Sequence, residues 1–239
     1  MKVKKPILIE SSFSEFVRKF GGRVLNDELG NNPTFQNADY VFDREKVVAE
    51  LKCLEEDKLS DPEYLGKIEA ILEKWKSLNL VESEPLETIW LDKLPQECAE
   101  ELFCFASQAI ARVVKKANVQ IRDTKESLQL TNYVGLLLIA NDGNFALPPN
   151  IIDKILKYVL AKKFSSIDYY VLFSVNMVTA IPGIDSPCTI WQPRGRTDTN
   201  PAIENFLNRL CEEWIAYRDN LLALPSQALG SENRGIELG

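Results

Sequence analysis

From Lys46 to Leu54 the chain alternates with a period of two, and this pattern constrains the region to a strand with two unlike faces. Val47, Ala49, Leu51 and Cys53 share one face, which is wholly apolar and belongs against a core. Val48, Glu50, Lys52 and Leu54 share the other, which sets a carboxylate and an ammonium in apolar company. A second run, Asn37-Ala38-Asp39-Tyr40-Val41-Phe42, precedes this strand. If the two form an antiparallel hairpin centred between Arg44 and Glu45, with a four-residue loop from Asp43 to Lys46, Asp39 comes opposite Glu50 and Asn37 opposite Lys52. Opposed residues on one sheet face have Cβ atoms about 5 Å apart, and like charges so placed repel. A divalent cation would answer that repulsion, since hard cations take carboxylate oxygens and keep positions for water and phosphate. Two alternatives stand beside it: a bulge that turns Asp39 to the other face, and a solvated, salt-bridged hairpin with no metal.

At these residues the sequence resembles the PD-(D/E)XK nuclease superfamily, in which an acidic residue begins one strand and a Glu-X-Lys or Asp-X-Lys triplet lies on the next. Here the acid is Asp39 and the triplet is Glu50-Leu51-Lys52, while the leading proline of the pattern is replaced by Ala38. The resemblance implies an α/β, restriction-endonuclease-like fold with a mixed β-sheet flanked by helices. It implies Mg²⁺ or Mn²⁺ held by Asp39, Glu50 and the backbone carbonyl of Leu51. Lys52 would then orient or activate water and stabilise phosphate charge, with nucleic acid, DNA before RNA, as the substrate.

The rest of the chain narrows the chemistry. It contains no histidine, which excludes histidine general bases, Ser-His-Asp triads and His-ligated zinc, so hydrolysis must run on carboxylates, lysine and metal. Against a nuclease stands the net charge of −7, because proteins that grip phosphates usually present a basic surface. Local basic clusters soften the objection: Arg112, Lys115, Lys116, Arg122 and Lys125 in one segment, Arg194 and Arg196 in another. The expected organisation is one domain over 1–223 with a helical insertion at about 58–95, and a flexible tail over 224–239. Apolar runs too short for a signal peptide or a membrane span lead to the expectation of a cytoplasmic protein. The five scattered cysteines are expected to be buried free thiols.

Periodicity and punctuation predict a helix over Ser11–Phe20 with a serine cap and a Gly21-Gly22 stop, a strand over Arg23–Leu25, and a loop over Asn26–Gln36 bordering a cleft. A helix over Pro62–Leu78 follows, then a long helix over Gln96–Leu128 that packs on the sheet through Leu102, Phe105, Ala109, Val113, Ala117, Ile121 and Leu128. Tyr133–Ala140 reads as a strand buried on both faces. A helix through Lys163 and a strand over Asp168–Val175 make a parallel pair with it. A strand over Thr189–Gln192 and a helix over Pro201–Ala223 complete the series. The order follows the α-β-β-β-α-β core of the family it resembles.

Further candidates lie elsewhere in the chain. Lys116 and Gln120, one turn apart on the long helix, resemble the auxiliary Lys or Gln that some superfamily members carry, Gln120 as a catalytic helper and Lys116 as a substrate contact; an ordinary polar helix flank is the alternative. Glu15 on the first helix is a possible further carboxylate, though a plain exposed glutamate is the favoured reading. Arg194 and Arg196 suit phosphate contacts, or a solvated loop. Asp142 reads as a turn residue, and Trp90, Trp191 and Trp214 as packing. The 62–78 helix offers a homodimer contact. The rival to an enzyme is a non-catalytic protein of the same fold whose acidic surface binds a protein partner in a regulatory or defence system.

Overall fold

The structure is a computed structural model that describes residues 6–30, 33–54, 61–81, 93–143, 147–176, 188–196 and 200–222, without the side chains of 162 and 163. Trp90, the segment around it and the expected tail lie outside the described residues. The chain divides into two compact units, one comprising 1–54, 117–142 and 165–239, the other 55–116 and 143–164. The second thus takes in the segment read as an insertion, the first two-thirds of the long helix, and the helix that follows β4 (Val134–Asn141).

The six strands among the described residues belong to the first unit. They are β1 (Arg23–Val24), β2 (Tyr40–Phe42), β3 (Val47–Leu54), β4, β5 (Tyr169–Phe173) and β6 (Trp191–Gly195), and they lie side by side in chain order. β1, β2 and β3 form an antiparallel meander, β3, β4 and β5 run parallel, and β6 returns antiparallel at the edge. Every residue of β5 and all but the first of β4 are buried, as expected of parallel strands covered on both faces. Pro193 sits within β6, where an edge strand tolerates the missing N–H.

The apolar face of β3 joins the main core. Val47, Ala49 and Leu51 lie with Leu136, Leu138, Val171 and Phe173 of the neighbouring strands, covered by α1 (Ile9–Phe20) and α6 (Pro201–Leu222). Aromatic rings dominate there: Phe13 and Trp214 have centroids 4.8 Å apart, and Phe42 and Phe206 5.0 Å. α1 begins at Ile9, earlier than the serine-cap reading, because its buried face is Ile9, Phe13, Phe16 and Val17 and the core captures the first of these. Ser11 Oγ donates to Leu8 O instead of capping the helix. Gly21, at φ +97°, closes the helix and donates its N–H to Val17 O. The expected loop after β1 begins as a short helix, α2 (Leu25–Leu29), with Leu25 fully buried.

α4 (Gln96–Ser127) crosses from the second unit into the first. Its buried stripe is Ser107, Ile110, Val114, Ala117, Ile121 and Thr124, so the expected face through Phe105, Ala109 and Val113 was phased wrongly. Steps of four overshoot a turn by about 40° each, whereas alternating threes and fours stay on one side. The stripe therefore ends on a hydroxyl. Gly135 allows the loop before β5 to press on β4: a Cβ there would stand 1.8 Å from Ser166 O. Asp168 spans the same contact, accepting from Gly135 N at 2.7 Å and donating its own N–H to Gly135 O at 2.8 Å.

Within the second unit, α3 (Pro62–Ser77) is capped by Asp61, which accepts from Glu63 N and Tyr64 N. It meets α4 through Glu101, which accepts from Trp75 Nε1 and Lys74 Nζ, each at 2.8 Å. α5 (Pro149–Lys163) buries Ile152, Ile155, Leu156, Val159 and Leu160. The expectation of buried thiols fails at all but Cys98, since Cys104 is exposed and Cys53, Cys188 and Cys211 are half-buried; none is in a disulfide. Among the described residues no helix is long and apolar enough to cross a membrane.

Candidate functional site

The hairpin has the register the alternation predicts. Tyr40 pairs with Ala49, Val41 with Val48 and Phe42 with Val47, and Asp43–Lys46 form the four-residue loop, with Lys46 at φ +55°. No bulge intervenes, so one step beyond the last pair Asp39 comes level with Glu50. The ladder ends there, and the further pairing of Asn37 with Lys52 does not form. Leu51 N instead donates to the Asp39 carboxylate, at 2.8 Å from Oδ2. Ala38 N donates to Thr124 Oγ1 at 2.7 Å, and Asn37 O accepts from Gln120 Nε2 at 3.0 Å. Side chains thus take over from the backbone ladder where the two strands meet the carboxylates.

Glu50 is fully buried and Lys52, on the same face, is largely so. Lys52 Nζ bonds Glu50 Oε1, while Glu50 Oε2 is buried with no hydrogen-bond partner. Burial, reinforced by the charge of Asp39, pushes the Glu50 carboxyl up to about 8; the adjacent ammonium pulls the other way without offsetting them. Burial also raises Asp39, against the Leu51 amide and the Lys52 charge. Two acidic groups held close in a dry setting resist ionising together, and added positive charge would relieve them. Asp39, Glu50 and the Leu51 carbonyl are hard oxygen donors of the kind Mg²⁺ and Mn²⁺ take, and the orphaned Oε2 is an acceptor in want of a cation or donor, so the residues fit such an ion. The fit is lean: among the described residues no group of three or more His, Cys, Asp or Glu side chains stands ready for a metal.

The other sequence candidates fall in different places. Gln120 is half-buried; its amide nitrogen holds Asn37 O and its Oε1 is buried without a partner. It therefore reaches the hairpin as expected, at the backbone just before Asp39. Lys116 is exposed one turn earlier, the last α4 residue that belongs to the second unit. Arg194 belongs to the row Glu50, Leu137, Tyr170, Arg194, three strands from Glu50 and thus about 14 Å away across the sheet. Arg196 Nη1 donates to Ile167 O at 3.0 Å, at the end of β5 where that strand begins. Strand order thus sets these two arginines, read as phosphate contacts or a solvated loop, apart from the carboxylates, with Arg194 inside β6.

Glu15 is exposed and bonds Lys19 at 2.8 Å, which holds its carboxyl below the ordinary value. The first-helix carboxylate that Asp39 feels is instead Glu10, whose charge adds to the rise of Asp39. Asp142 does more than turn the chain: it accepts from Asn176 N at 2.6 Å and from Asn176 Nδ2, while Asn176 makes paired bonds with the backbone of Ile7. Glu10 and Thr124 were missed by sequence reasoning. For Thr124 a signal existed, since correct phasing of α4 leaves a hydroxyl at the end of an apolar stripe, one turn beyond Gln120. Glu10 had none, because which turn of α1 faces the strand ends depends on tertiary packing. Compared with protein-family models, curated proteins and solved structures, the chain matches none.

Proposed function

We propose that the protein is a metal-dependent nuclease that hydrolyses phosphodiester bonds in nucleic acid, with DNA preferred on the strength of the resemblance to the PD-(D/E)XK superfamily. The observation that carries the reading is Asp39, just before β2, level with Glu50 of β3, with Lys52 on the face of Glu50 and one buried Glu50 oxygen left without a partner. With the short α2 and the α3 segment read as an insertion set aside, the order α1, β1, β2, β3, α4, β4 agrees with the α-β-β-β-α-β core of a restriction-endonuclease-like fold, and β4 lies parallel to β3.

Asp39, Glu50 and the carbonyl of Leu51 would hold Mg²⁺ or Mn²⁺. The bound ion supplies charge stabilisation to the phosphate and lowers the pKa of water. Leu51 N–H fixes one oxygen of Asp39 and leaves the other for a ligand. Lys52 brings an ammonium beside Glu50, where it can orient water and hold phosphate charge. The buried surroundings of Glu50 strengthen each of these interactions over their value in water.

Cleavage of single-stranded, double-stranded and branched DNA and of RNA, with Mg²⁺ or Mn²⁺, tests the reading. Glu50→Gln and Lys52→Ala are each expected to lower the rate by about a thousandfold, the scale of losing a main electrostatic contributor. Wild-type rates in both variants, in a preparation free of contaminating nuclease, would sink the assignment. The net charge of −7 favours a second reading, a non-catalytic protein of the same fold that binds a protein partner in a regulatory or defence system. Absence of cleavage together with indifference to metal would favour it.

A further inference from the structure

We propose that Thr124 is a positioning residue for Asp39, acting through the N–H of Ala38. The inference rests on the reading of Asp39 as a metal ligand. It starts from a break in the sheet. Continued one step past Asp39 and Glu50, the register would pair Ala38 with Leu51, yet both of their amides are taken by side chains: Leu51 N–H by Asp39 Oδ2 and Ala38 N–H by Thr124 Oγ1. The segment leading into β2 is therefore held at Ala38 by helix α4, while β3 reaches it through the Asp39 side chain. Thr124 is wholly buried, as is Ala38, so water cannot substitute for either partner. Gln120, one turn earlier, grips the next carbonyl back, Asn37 O, and Leu25 N–H holds Asp39 O at 2.9 Å.

The latch also gives a physical meaning to the departure from the family pattern. A proline at position 38 would fix φ but carry no N–H. Ala38 has the N–H, and that atom is the one Thr124 holds. Conformational restriction that a ring would supply locally is supplied here by a helix residue 86 positions along the chain. Thr124 is also where an apolar stripe would otherwise end in an apolar residue, and its hydroxyl oxygen accepts from the segment that leads into β2.

Two measurements test this on the full-length protein. Thr124→Val keeps the shape and removes the acceptor, whereas Thr124→Ser keeps the acceptor. Without metal, hydrogen exchange at the Leu51 amide reports whether Asp39 is in place: the valine variant is expected to exchange about fivefold faster there, the scale of one lost hydrogen bond, and the serine variant to restore protection. With Mn²⁺ titrated in, the valine variant is expected to bind about tenfold more weakly, as loss of a group supporting a metal ligand usually does, with serine recovering most of the affinity. Unchanged Leu51 protection in Thr124→Val, or serine behaving like valine, overturns the latch. Failure of the wild-type protein to take Mn²⁺ overturns the metal reading instead, and leaves the exchange result to decide the latch alone.

Discussion

The two faces of β3 share one backbone and have opposite economies. On one, Val47, Ala49 and Leu51 enter a core with Phe13, Phe16, Phe173 and Trp214, where the area removed from water stabilises the fold. On the other, Glu50 is wholly buried, one oxygen on Lys52 and the other on nothing. Burying a carboxyl so incompletely satisfied beside an ammonium costs stability, so this face draws on what the first supplies. The pleat separates the two tasks residue by residue, and changes on either face should leave different signatures.

The largest effect belongs to the charged face and is set by pH. The folded Glu50 carboxyl keeps its proton up to about 8, whereas the unfolded one releases it near the ordinary value of 4.5. Between those values the native state binds more protons, so stability falls as pH rises through the window and is fully present below it. Asp39, also raised by burial, acts in the same direction. A shift from 4.5 to about 8 corresponds to a ceiling of about 5 kcal/mol. Urea unfolding at pH 5 and pH 8 in a chelator should show the slope, Glu50→Gln should flatten it, and saturating Mn²⁺ should reverse much of it by binding the ionised form. A flat profile in chelator would show that the carboxyl is not held in a dry site.

The apolar face should respond without regard to pH or metal. Trp214, 1% exposed among Phe13, Phe16 and Phe173, is expected to cost about 4 kcal/mol when replaced by alanine, as large core aromatics do. Denaturant unfolding measures the loss, and the Mn²⁺ affinity of the folded fraction should stay at the wild-type value. A drop in affinity matching that of an Asp39 variant would show that the two faces are not independent.

What could be read in advance divides along the same line. The period of two between Lys46 and Leu54, with the length of the loop, was enough to set both faces of β3 and the register opposite β2, because in a hairpin those depend only on neighbours in sequence. β4 and its parallel pairing with β5 were legible for a similar reason: an eight-residue apolar run followed by a helix leaves few alternatives. The phase of α4 was not, since a helix of 32 residues offers several apolar stripes and only its neighbours choose among them. The wrong phase concealed Thr124. The distance of the arginines at 194 and 196 from the hairpin was not legible either, because nothing local tells how many strands intervene.

Thr124 itself supplies the smallest and sharpest test of the contrast between the faces. If it were only the last member of a buried stripe, valine would serve there at least as well, because replacing a buried hydroxyl with a methyl removes a polar group from the core. If it holds Ala38 N–H, valine strands a buried donor and costs stability. Ala38→Pro separates the two by deleting that donor. Introduced beside the native Thr124, proline discards a bond; introduced into the Thr124→Val variant, it discards only an unsatisfied group. The cost of Ala38→Pro should therefore be smaller by about 1 kcal/mol in the valine background, a coupling measurable by urea unfolding of the four proteins. Strict additivity would mean that Thr124 and Ala38 are neighbours without a working bond, and that Asp39 owes its place to its other partners, Leu51 and Leu25 among them.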